Sequence, residues 1–332
     1  MKHMFGAGNR MVDAAKQMVA LAVLAVSATH AYSQAFPTKP IRFIVGFPPG
    51  GATDHIARAI SPRMAEVLGQ SVVVENNGGA SGLIASQTVQ RATPDGHTIL
   101  LMVTGGHLLR PLLDPSTPFD PIKDFTPITQ LNDSVFAIAA SMQIGPKSIE
   151  DMIDQARKFP MKLSYGTAGL GTETHLLMER IGAIIKGPMQ VVGYKGGGPA
   201  VADMIGGQIP LVIQPVVTFL GQARAGKARI LTVLLPRRWE LLPDVPAITE
   251  FIPSFQKPSG GAGVWGPANL PMPVAQRLQG AMASAMSDPG LRQKLIAEGQ
   301  IPVGSAPQEF AEELVKSKVL FEQLLKGVNL KQ

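Results

Sequence analysis

The sequence predicts an α/β fold, because strand-like and helix-like segments alternate along most of the chain. Short apolar runs such as 41–47 are typical of buried strands, and segments with helical spacing separate them. Glycine-rich segments at 48–51, 166–172 and 195–199 each follow a predicted strand and precede a predicted helix. A length of 332 residues, with a second set of strands after about residue 136, predicts two domains.

Before residue 136 the predicted elements form a regular series. They are a strand at 41–47, a helix at 53–68, a strand at 71–75, a helix at 81–91 and a strand at 98–103. In the first helix Ile56, Ile60 and Met64 recur at helical spacing. A proline-rich connection then leads to a strand at 135–141, where the chain crosses to the second set.

The second set continues this alternation. Its predicted strands lie at 163–165, 190–194, 211–213 and 230–235, and its helices at 148–159, at 173–185 and after Pro199. A stretch rich in proline and glycine, 242–273, precedes a tail that is predicted to be entirely helical. In that tail, Ser305-x-x-Gln308 with Pro307 predicts a capping box for the last helix.

The composition excludes several classes of function. The chain has no cysteine, which rules out disulfides, thiolate metal sites, cysteine nucleophiles and a lipid-anchoring cysteine. It carries 30 basic and 24 acidic residues, a formal charge of +6, but the basic residues are dispersed and only 5 % of the residues are aromatic. Since nucleic-acid binding relies on basic patches and stacking platforms, we expect no nucleic-acid partner.

The first 35 residues have the three parts of a secretory signal peptide. A basic start precedes the uncharged apolar run 18–28, and small residues follow at Ala31 and Ala35. This run is too short to span a hydrocarbon core of about 30 Å. We therefore expect export to the periplasm, cleavage near Ala31 or Ala35, and a mature chain without a lipid anchor.

The three glycine-rich segments are the most informative feature of the sequence. In open α/β sheets ligands bind at the carboxyl ends of strands, and the N–H groups that begin a helix attract anions. Each helix start stabilises a bound anion by about 0.3–1 kcal/mol, so two or three starts together could hold a carboxylate. One such segment alone could equally be a tight turn, whereas three of them favour ligand binding.

Other motifs add no competing chemistry. Residues 166–171 lack the G-x-G-x-x-G spacing of a dinucleotide site, and the chain has neither a phosphate-binding P-loop nor a G-x-S-x-G nucleophile. The histidines are scattered without an H-E-x-x-H pair, so we expect no metal and no cofactor. His175 is interpreted as a packed or loop-bracing residue. Asp54 is interpreted either as a partner of Arg58 or as an acceptor beside the ligand.

Several motifs are specific in combination. They are Phe47-Pro48-Pro49-Gly50-Gly51 with Asp54 and Arg58, Asn76-Asn77-Gly78-Gly79, Tyr165-Gly166-Thr167-Ala168-Gly169-Leu170-Gly171-Thr172 with His175, Tyr194-Lys195-Gly196-Gly197-Gly198-Pro199, and Leu242-Pro243-Asp244-Val245-Pro246. Together they resemble the Bug family, the periplasmic substrate-binding proteins of tripartite tricarboxylate transporters. The resemblance covers essentially the whole mature chain.

This resemblance implies a two-domain periplasmic-binding-protein fold, type II-like, with a ligand cleft between hinged domains. Domain 1 would comprise residues 36–136 and 258–332, and domain 2 residues 137–257. The ligand-binding residues that it implies are Pro49, Gly50, Gly51, Thr53, Asp54, Thr104 and His107 in domain 1, and Thr167, Ala168, Gly171 and Thr172 in domain 2.

The chain departs from the family pattern where acidic residues are common, at Pro210 and Gln214, and where an aromatic residue is common, at 259–263. An amide at Gln214 can both donate and accept, and it removes a negative charge. We therefore expect Gln214 to contact the ligand. We also expect a ligand that is bulkier or more acidic than that of the amino-acid-binding members.

The implied function is capture of a small organic anion, a carboxylate, by a monomer that closes around it and is then recognised by a membrane permease. Two alternatives are a receptor of the same fold that serves a sensor kinase, and an exported enzyme acting on carboxylates. Because the sequence shows no nucleophile, base or metal constellation, we expect a receptor and not an enzyme.

Overall fold

The computed structural model of the chain describes residues 36–50, 52–79 and 82–326. The expected signal peptide, 1–35, lies outside them. From Pro40 onward the chain forms one compact unit. Within the described part, no helix is both long and apolar enough to cross a membrane.

A first sheet is built from the beginning of the chain and one late strand. Its strands are β1 (Ile41–Val45), β2 (Val72–Asn76), β3 (Thr98–Val103), β4 (Phe125–Gln130) and β11 (Ala262–Pro267). Their spatial order is β2-β1-β3-β11-β4. β1 is parallel to both of its neighbours, whereas β11 runs antiparallel between β3 and β4. The accompanying helices are α1 (Ala52–Leu68), α2 (Leu83–Gln90), α3 (Thr104–Leu113), α8 (Met272–Met286), α9 (Pro289–Ala297) and α10 (Pro307–Leu325).

A second sheet is built from the middle of the chain. Its strands are β6 (Phe136–Ser141), β7 (Ser164–Thr167), β8 (Gln190–Gly193), β9 (Leu211–Pro215) and β10 (Ala228–Val233), in the order β10-β6-β9-β7-β8. β7 is parallel to β8 and β9, and β6 is antiparallel to β9 and β10. The accompanying helices are α4 (Ile149–Lys158), α5 (Glu173–Ile185), α6 (Gly197–Ile205) and α7 (Leu220–Arg224).

The chain passes between the two sheets twice. It leaves β4, forms β5 (Asn132–Ser134) and enters β6; after β10 it returns through residues 234–261 to β11. β5 pairs antiparallel with β12 (Gln300–Pro302) beside the first of these connections. We call the first sheet with α1–α3 and α8–α10 the first lobe, and the second sheet with α4–α7 the second lobe. The domain boundaries expected at 136/137 and 257/258 stay a prediction.

Each sheet is covered by apolar side chains because its strands are apolar on the faces that meet helices. β6 shows this most clearly, since it is buried on both faces: Phe136 and Ile138 enter one core, and Ala137 and Ala139 enter the other. In the first lobe the core contains Leu100 and Trp265 together with an apolar face of α10, namely Phe310, Leu314, Phe321 and Leu324.

Four sequence predictions are corrected by the structure. The segment predicted as a proline-rich connection contains α3 and β4; the glycine-rich stretch before Pro273 contains β11; and β12 interrupts the tail predicted to be all helical. The cap of the last helix is Ala306, one residue later than the predicted Ser305, because the Glu309 carboxylate accepts the N–H of Ala306 at 2.9 Å. The Ser305 hydroxyl instead accepts the N–H of Gln130 at 2.9 Å.

Candidate ligand-binding site

Asp54, in the first turn of α1, holds the first glycine-rich segment in place. Its buried carboxylate accepts hydrogen bonds from Gly50 N at 2.9 Å, Arg58 Nε at 2.9 and 3.0 Å, and Asn76 Nδ2 at 2.9 Å. The Asn76 amide also donates to the carbonyl of Phe47 at 3.1 Å. The segment 47–50 is therefore tied at both ends to this carboxylate and to the end of β2.

These partners keep Asp54 ionised. The hydrogen bond from Arg58, followed by that from Gly50 N, lowers the pKa of Asp54 to about 2. Of the two interpretations that the sequence leaves open, the pairing with Arg58 is present in the structure. The role of Asp54 as an acceptor beside a ligand stays a prediction.

The second glycine-rich segment is organised by threonine hydroxyls. Thr167 Oγ1, at the end of β7, lies 2.5 Å from Thr174 Oγ1 and 3.1 Å from Thr172 Oγ1. Thr172 also donates to the carbonyl of Gly169 at 2.7 Å. Because these hydroxyls satisfy one another and the loop carbonyl, the segment has a defined shape at the start of α5.

His175 braces the same segment from one turn further along α5. Its Nδ1 accepts the N–H of Gly171 at 3.0 Å, which requires an unprotonated nitrogen. Burial also lowers the pKa of His175, so the ring is neutral at pH 7. The interpretation of His175 as a loop-bracing residue is confirmed.

The third glycine-rich segment lies beside the second, because β7 and β8 are adjacent parallel strands. Gly196 N donates to the carbonyl of Ala168 at 3.0 Å. Gln214, on β9, is buried under the start of α6: a Cβ on Gly197 would lie 2.8 Å from Gln214 Oε1. Within the described residues Gln214 Nε2 is buried without a hydrogen-bond partner. The side-chain amide of Gln214 is therefore a buried hydrogen-bond donor in the second lobe that a ligand could accept from.

α3 carries the remaining two predicted site residues. Thr104 is fully buried, its N–H donates to the carbonyl of Gly261 at 2.9 Å, and its Oγ1 has no partner among the described residues. The ring of His107 lies in the core of the first lobe, with ring centroids 4.8–5.0 Å from three aromatic side chains. These are Phe119, Phe125 and Trp265. Burial lowers the pKa of His107 to about 3, so this ring is also neutral.

The start of α5 lies beside that of α3, and the segment before α5 lies beside the segment before α6. A Cβ on Gly105, in α3, would lie 2.6 Å from Glu173 Oε2, in α5, so these two helix starts touch across the lobes. None of the three starts has a side-chain cap, as is also true of α2, α7 and α8, whereas Ser148 caps α4 and Asp288 caps α9. Because the first N–H groups of a helix lack partners inside it, this junction carries partial positive charge.

The structure sorts the predicted site residues into three groups. The first group lies in the first glycine-rich segment and the first turn of α1: Pro49, Gly50, Thr53 and Asp54. The second group, near the starts of α5 and α6, is Thr167, Ala168, Gly171, Thr172 and Gln214. The third group, in α3, is Thr104 and His107. Gly51 lies outside the described residues. The contact between α3 and α5 brings the last two groups together, while the hydrogen bonds of the first group run to α1 and β2. The joint action of all three groups stays a prediction.

Sequence reasoning missed Glu173, the first residue of α5. Its Oε1 is buried without a partner among the described residues, and burial raises the pKa of this carboxyl to about 8. The sequence shows only an acidic residue in the first turn of a helix, which is an ordinary feature of helix starts. Glu173 is buried against Gly105 and Gly260, which are far from it in the sequence. A local sequence pattern therefore gives no sign of this contact.

The fold defines a class of protein, the two-lobed α/β binding proteins of the periplasmic type. Residues 56–328 match the model of the family described as "Tripartite tricarboxylate transporter family receptor", and the chain belongs to that family. The resemblance to the Bug family and the periplasmic-binding-protein fold are thereby confirmed.

Relatives of known sequence and structure extend over almost the whole chain. The UPF0065 protein in the tcbD-tcbE intergenic region of Pseudomonas sp. (strain P51) is 36 % identical over 304 residues, which cover 90 % of this chain and 89 % of that protein. MatC from Rhodopseudomonas palustris, solved with bound malate, has a TM-score of 0.71 and 28 % identity, covering 87 % of this chain and all of the other. Rpa4515 from R. palustris, solved with adipate, has a TM-score of 0.75 and 29 % identity, covering 88 % and 98 %.

Proposed function

We propose that this protein is a periplasmic receptor that closes around a small organic anion, a carboxylate, and delivers it to the permease of a tripartite tricarboxylate transporter. The observation that carries the proposal is that the start of α5 contacts the start of α3 and that the segment before α5 is hydrogen-bonded to the segment before α6, with none of the three starts capped by a side chain. Such starts attract anions without any arginine. Two similar proteins were solved with malate and adipate, which are both dicarboxylates and favour the same ligand class here.

In the proposed mechanism the two crossings of the chain act as the hinge. Domain 1, residues 36–136 and 258–332, and domain 2, residues 137–257, close on the ligand. Proposed contacts are Pro49, Gly50, Gly51, Thr53, Asp54, Thr104 and His107 from domain 1, and Thr167, Ala168, Gly171, Thr172 and Gln214 from domain 2. The permease recognises the closed form, so the ligand must bind that form more tightly than the open one.

Charge and polarity in the second lobe support a carboxylate ligand. The starts of α5 and α6 supply backbone donors, and Gln214 Nε2 supplies a side-chain donor that the described residues leave without a partner. In the first lobe the negative charge of Asp54 is balanced by Arg58. An anion at this junction therefore meets these donors, and the nearby carboxyl of Glu173 is mainly protonated at pH 7 because burial raises its pKa to about 8.

A thermal-shift panel tests the ligand class. The mature protein, from Phe36, is unfolded and refolded to remove carried-over ligand, and is then heated with malate, adipate, a tricarboxylate and aromatic carboxylates, each beside its amide. A ligand at 100 times its Kd stabilises the protein by about 2.7 kcal/mol, which raises the Tm by about 5 °C. Stabilisation by acids and not by amides supports the proposal, and no shift with any acid contradicts it.

A variant pair tests the place of binding. Gln214→Leu keeps the size of the side chain but removes the donor, and we expect it to weaken the Kd of the best acid by about tenfold. Gln222→Leu changes an exposed glutamine of the same lobe and serves as the matched control. Equal binding by both variants contradicts the proposed site.

Uptake of the labelled acid by cells lacking the protein separates transport from a purely sensory role, since only transport predicts lost uptake.

A further inference from the structure

Glu173 is a carboxyl group enclosed where elements of both lobes meet. Its Oε2 lies 2.6 Å from the position of a Cβ on Gly105 in α3, and its Oε1 lies 3.5 Å from that of a Cβ on Gly260 in the return crossing. One turn further along α5, Leu176 is buried in the core of the first lobe. The carboxyl therefore sits against the first lobe while its helix belongs to the second.

The charged groups nearest to Glu173 are already paired with each other. Lys257 Nζ donates to both carboxylate oxygens of Asp133, at 2.9 and 3.1 Å, in an ion pair that is largely buried. The helices α3 and α10 present Gly105 and Phe321 at this place, and neither residue carries a charge. Lys257 therefore lowers the energy of an ionised Glu173 only partly, because Asp133 opposes it.

Other titratable groups in the surroundings have partners of their own. His175, two residues along α5, is neutral and accepts the N–H of Gly171. Glu313 of α10 lines a cavity of about 950 Å³ together with Lys257 and Asp133, and accepts the hydroxyl of Ser317 at 3.3 Å. No group among the described residues donates to Glu173 Oε1.

An ionised carboxylate without a partner is costly when it is buried. Burial raises the pKa of Glu173 to about 8, against a partial opposing effect of Lys257 and of the positive end of α5. At pH 7 the carboxyl is therefore mainly protonated while the lobes enclose it. If the lobes separate, water reaches the group and its pKa returns towards the ordinary value of about 4.3.

We propose that Glu173 couples closure of the lobes to the uptake of one proton, so that the receptor captures its organic anion more tightly at acidic than at alkaline pH. This inference rests on the proposed function for its ligand. Its physical basis, the enclosed carboxyl between α3, α5 and the return crossing, does not depend on the identity of that ligand.

The direction and size of the effect follow from linkage. Because the enclosed group has the higher pKa, closure is fully favoured below about pH 4.3 and is progressively weakened as the pH rises to about 8. For complete enclosure in the closed form and complete exposure in the open form, Kd rises by up to about 25-fold between pH 6.5 and 8.5. Aliphatic carboxylates stay ionised over this range, so their own titration does not contribute.

A first experiment compares unfolding with and without ligand. Urea unfolding of the wild-type protein, Glu173→Gln and Glu150→Gln is followed at pH 6.5 and 8.5; Glu150 is an exposed acid in the first turn of α4. With saturating adipate, which holds the lobes closed, we expect the unfolding constant of the wild type to rise by up to about 25-fold relative to that of Glu173→Gln, with Glu150→Gln following the wild type. Without ligand we expect a smaller difference, because the lobes are then open; the same pH dependence of wild type and Glu173→Gln with adipate, or a difference equally large without it, would overturn the inference.

A second experiment measures the linkage to binding. Calorimetry with adipate and malate at the same two pH values gives Kd, and we expect the pH dependence of the wild type to disappear in Glu173→Gln. Gly105→Ala is the second variant, because its Cβ displaces the carboxyl towards water and lowers the pH dependence without removing the acid. If neither acid binds, the proposed function fails, and the inference, which rests on it for its ligand, fails with it. Binding with an unchanged pH dependence in both variants overturns the inference.

Discussion

Replacement of Asp54 by asparagine tests how the first glycine-rich segment is held. The new side chain keeps one oxygen as an acceptor for Arg58 or Gly50, but it turns an NH₂ group towards donors that the carboxylate now satisfies. The lowering of the Asp54 pKa from 3.8 to about 2 corresponds to about 2 kcal/mol. Because the Arg58 side chain is 53 % exposed and solvent screens its charge, we expect a loss of about 1–2 kcal/mol.

The pH dependence of this loss has a defined sign. The folded-state pKa of Asp54 lies below that of the unfolded chain, so the stabilisation is present above about pH 4 and is lost as the pH falls towards 2. Urea unfolding should therefore show the full loss for Asp54→Asn at pH 7 and about half of it at pH 3.

The control for Asp54→Asn comes from the same helix. Glu66 pairs with Arg63 at 2.7 Å, but both side chains are more than half exposed. We expect Glu66→Gln to cost less than about 0.5 kcal/mol, because surface ion pairs contribute little. The reasoning is refuted if Asp54→Asn costs no more than this control, or if its cost is the same at pH 7 and pH 3.

Three further predictions concern close contacts elsewhere. Gly197→Ala places a Cβ 2.8 Å from Gln214 Oε1, so we expect weaker ligand binding in calorimetry; unchanged Kd would contradict it. Tyr165→Phe removes the hydroxyl that donates to Glu179 at 2.6 Å, and urea unfolding should show a loss of about 1–2 kcal/mol. Glu309→Ala removes the acceptor at the start of α10 and should cost about 0.5–1 kcal/mol of unfolding free energy by the same assay. A negligible cost would contradict the role of Glu309 at this helix start.

Elements with a local signal were well predicted from the sequence. β3 and α5 begin and end at the predicted residues, because an apolar run and a helical period between turn residues are properties of one short segment. β11 was missed because Ala262–Pro267 contains two glycines and a proline and shows no alternation. Its strand character comes from antiparallel pairing with β3 and β4, which are far away in the sequence.

The same distinction applies to the candidate site. The three glycine-rich segments and the bracing role of His175 are local features, and the sequence predicted them. The enclosure of Glu173 needs Gly105 and Gly260, which reach it only after the chain has crossed between the sheets twice. The burial of His107 among aromatic rings likewise requires Trp265 from the return of the chain. Tertiary contacts of this kind have no signature within a single window of sequence.

The position of β11 also sets an order of assembly during synthesis. β3 and β4 become partners in one sheet only when β11 arrives between them, and residues 131–261 must be made first. At 5–20 residues per second this interval lasts roughly 7–26 s. The strands of the second sheet are contiguous in the chain, from β6 to β10, and have all been made before β11. A nascent chain therefore holds an incomplete first sheet for most of its synthesis.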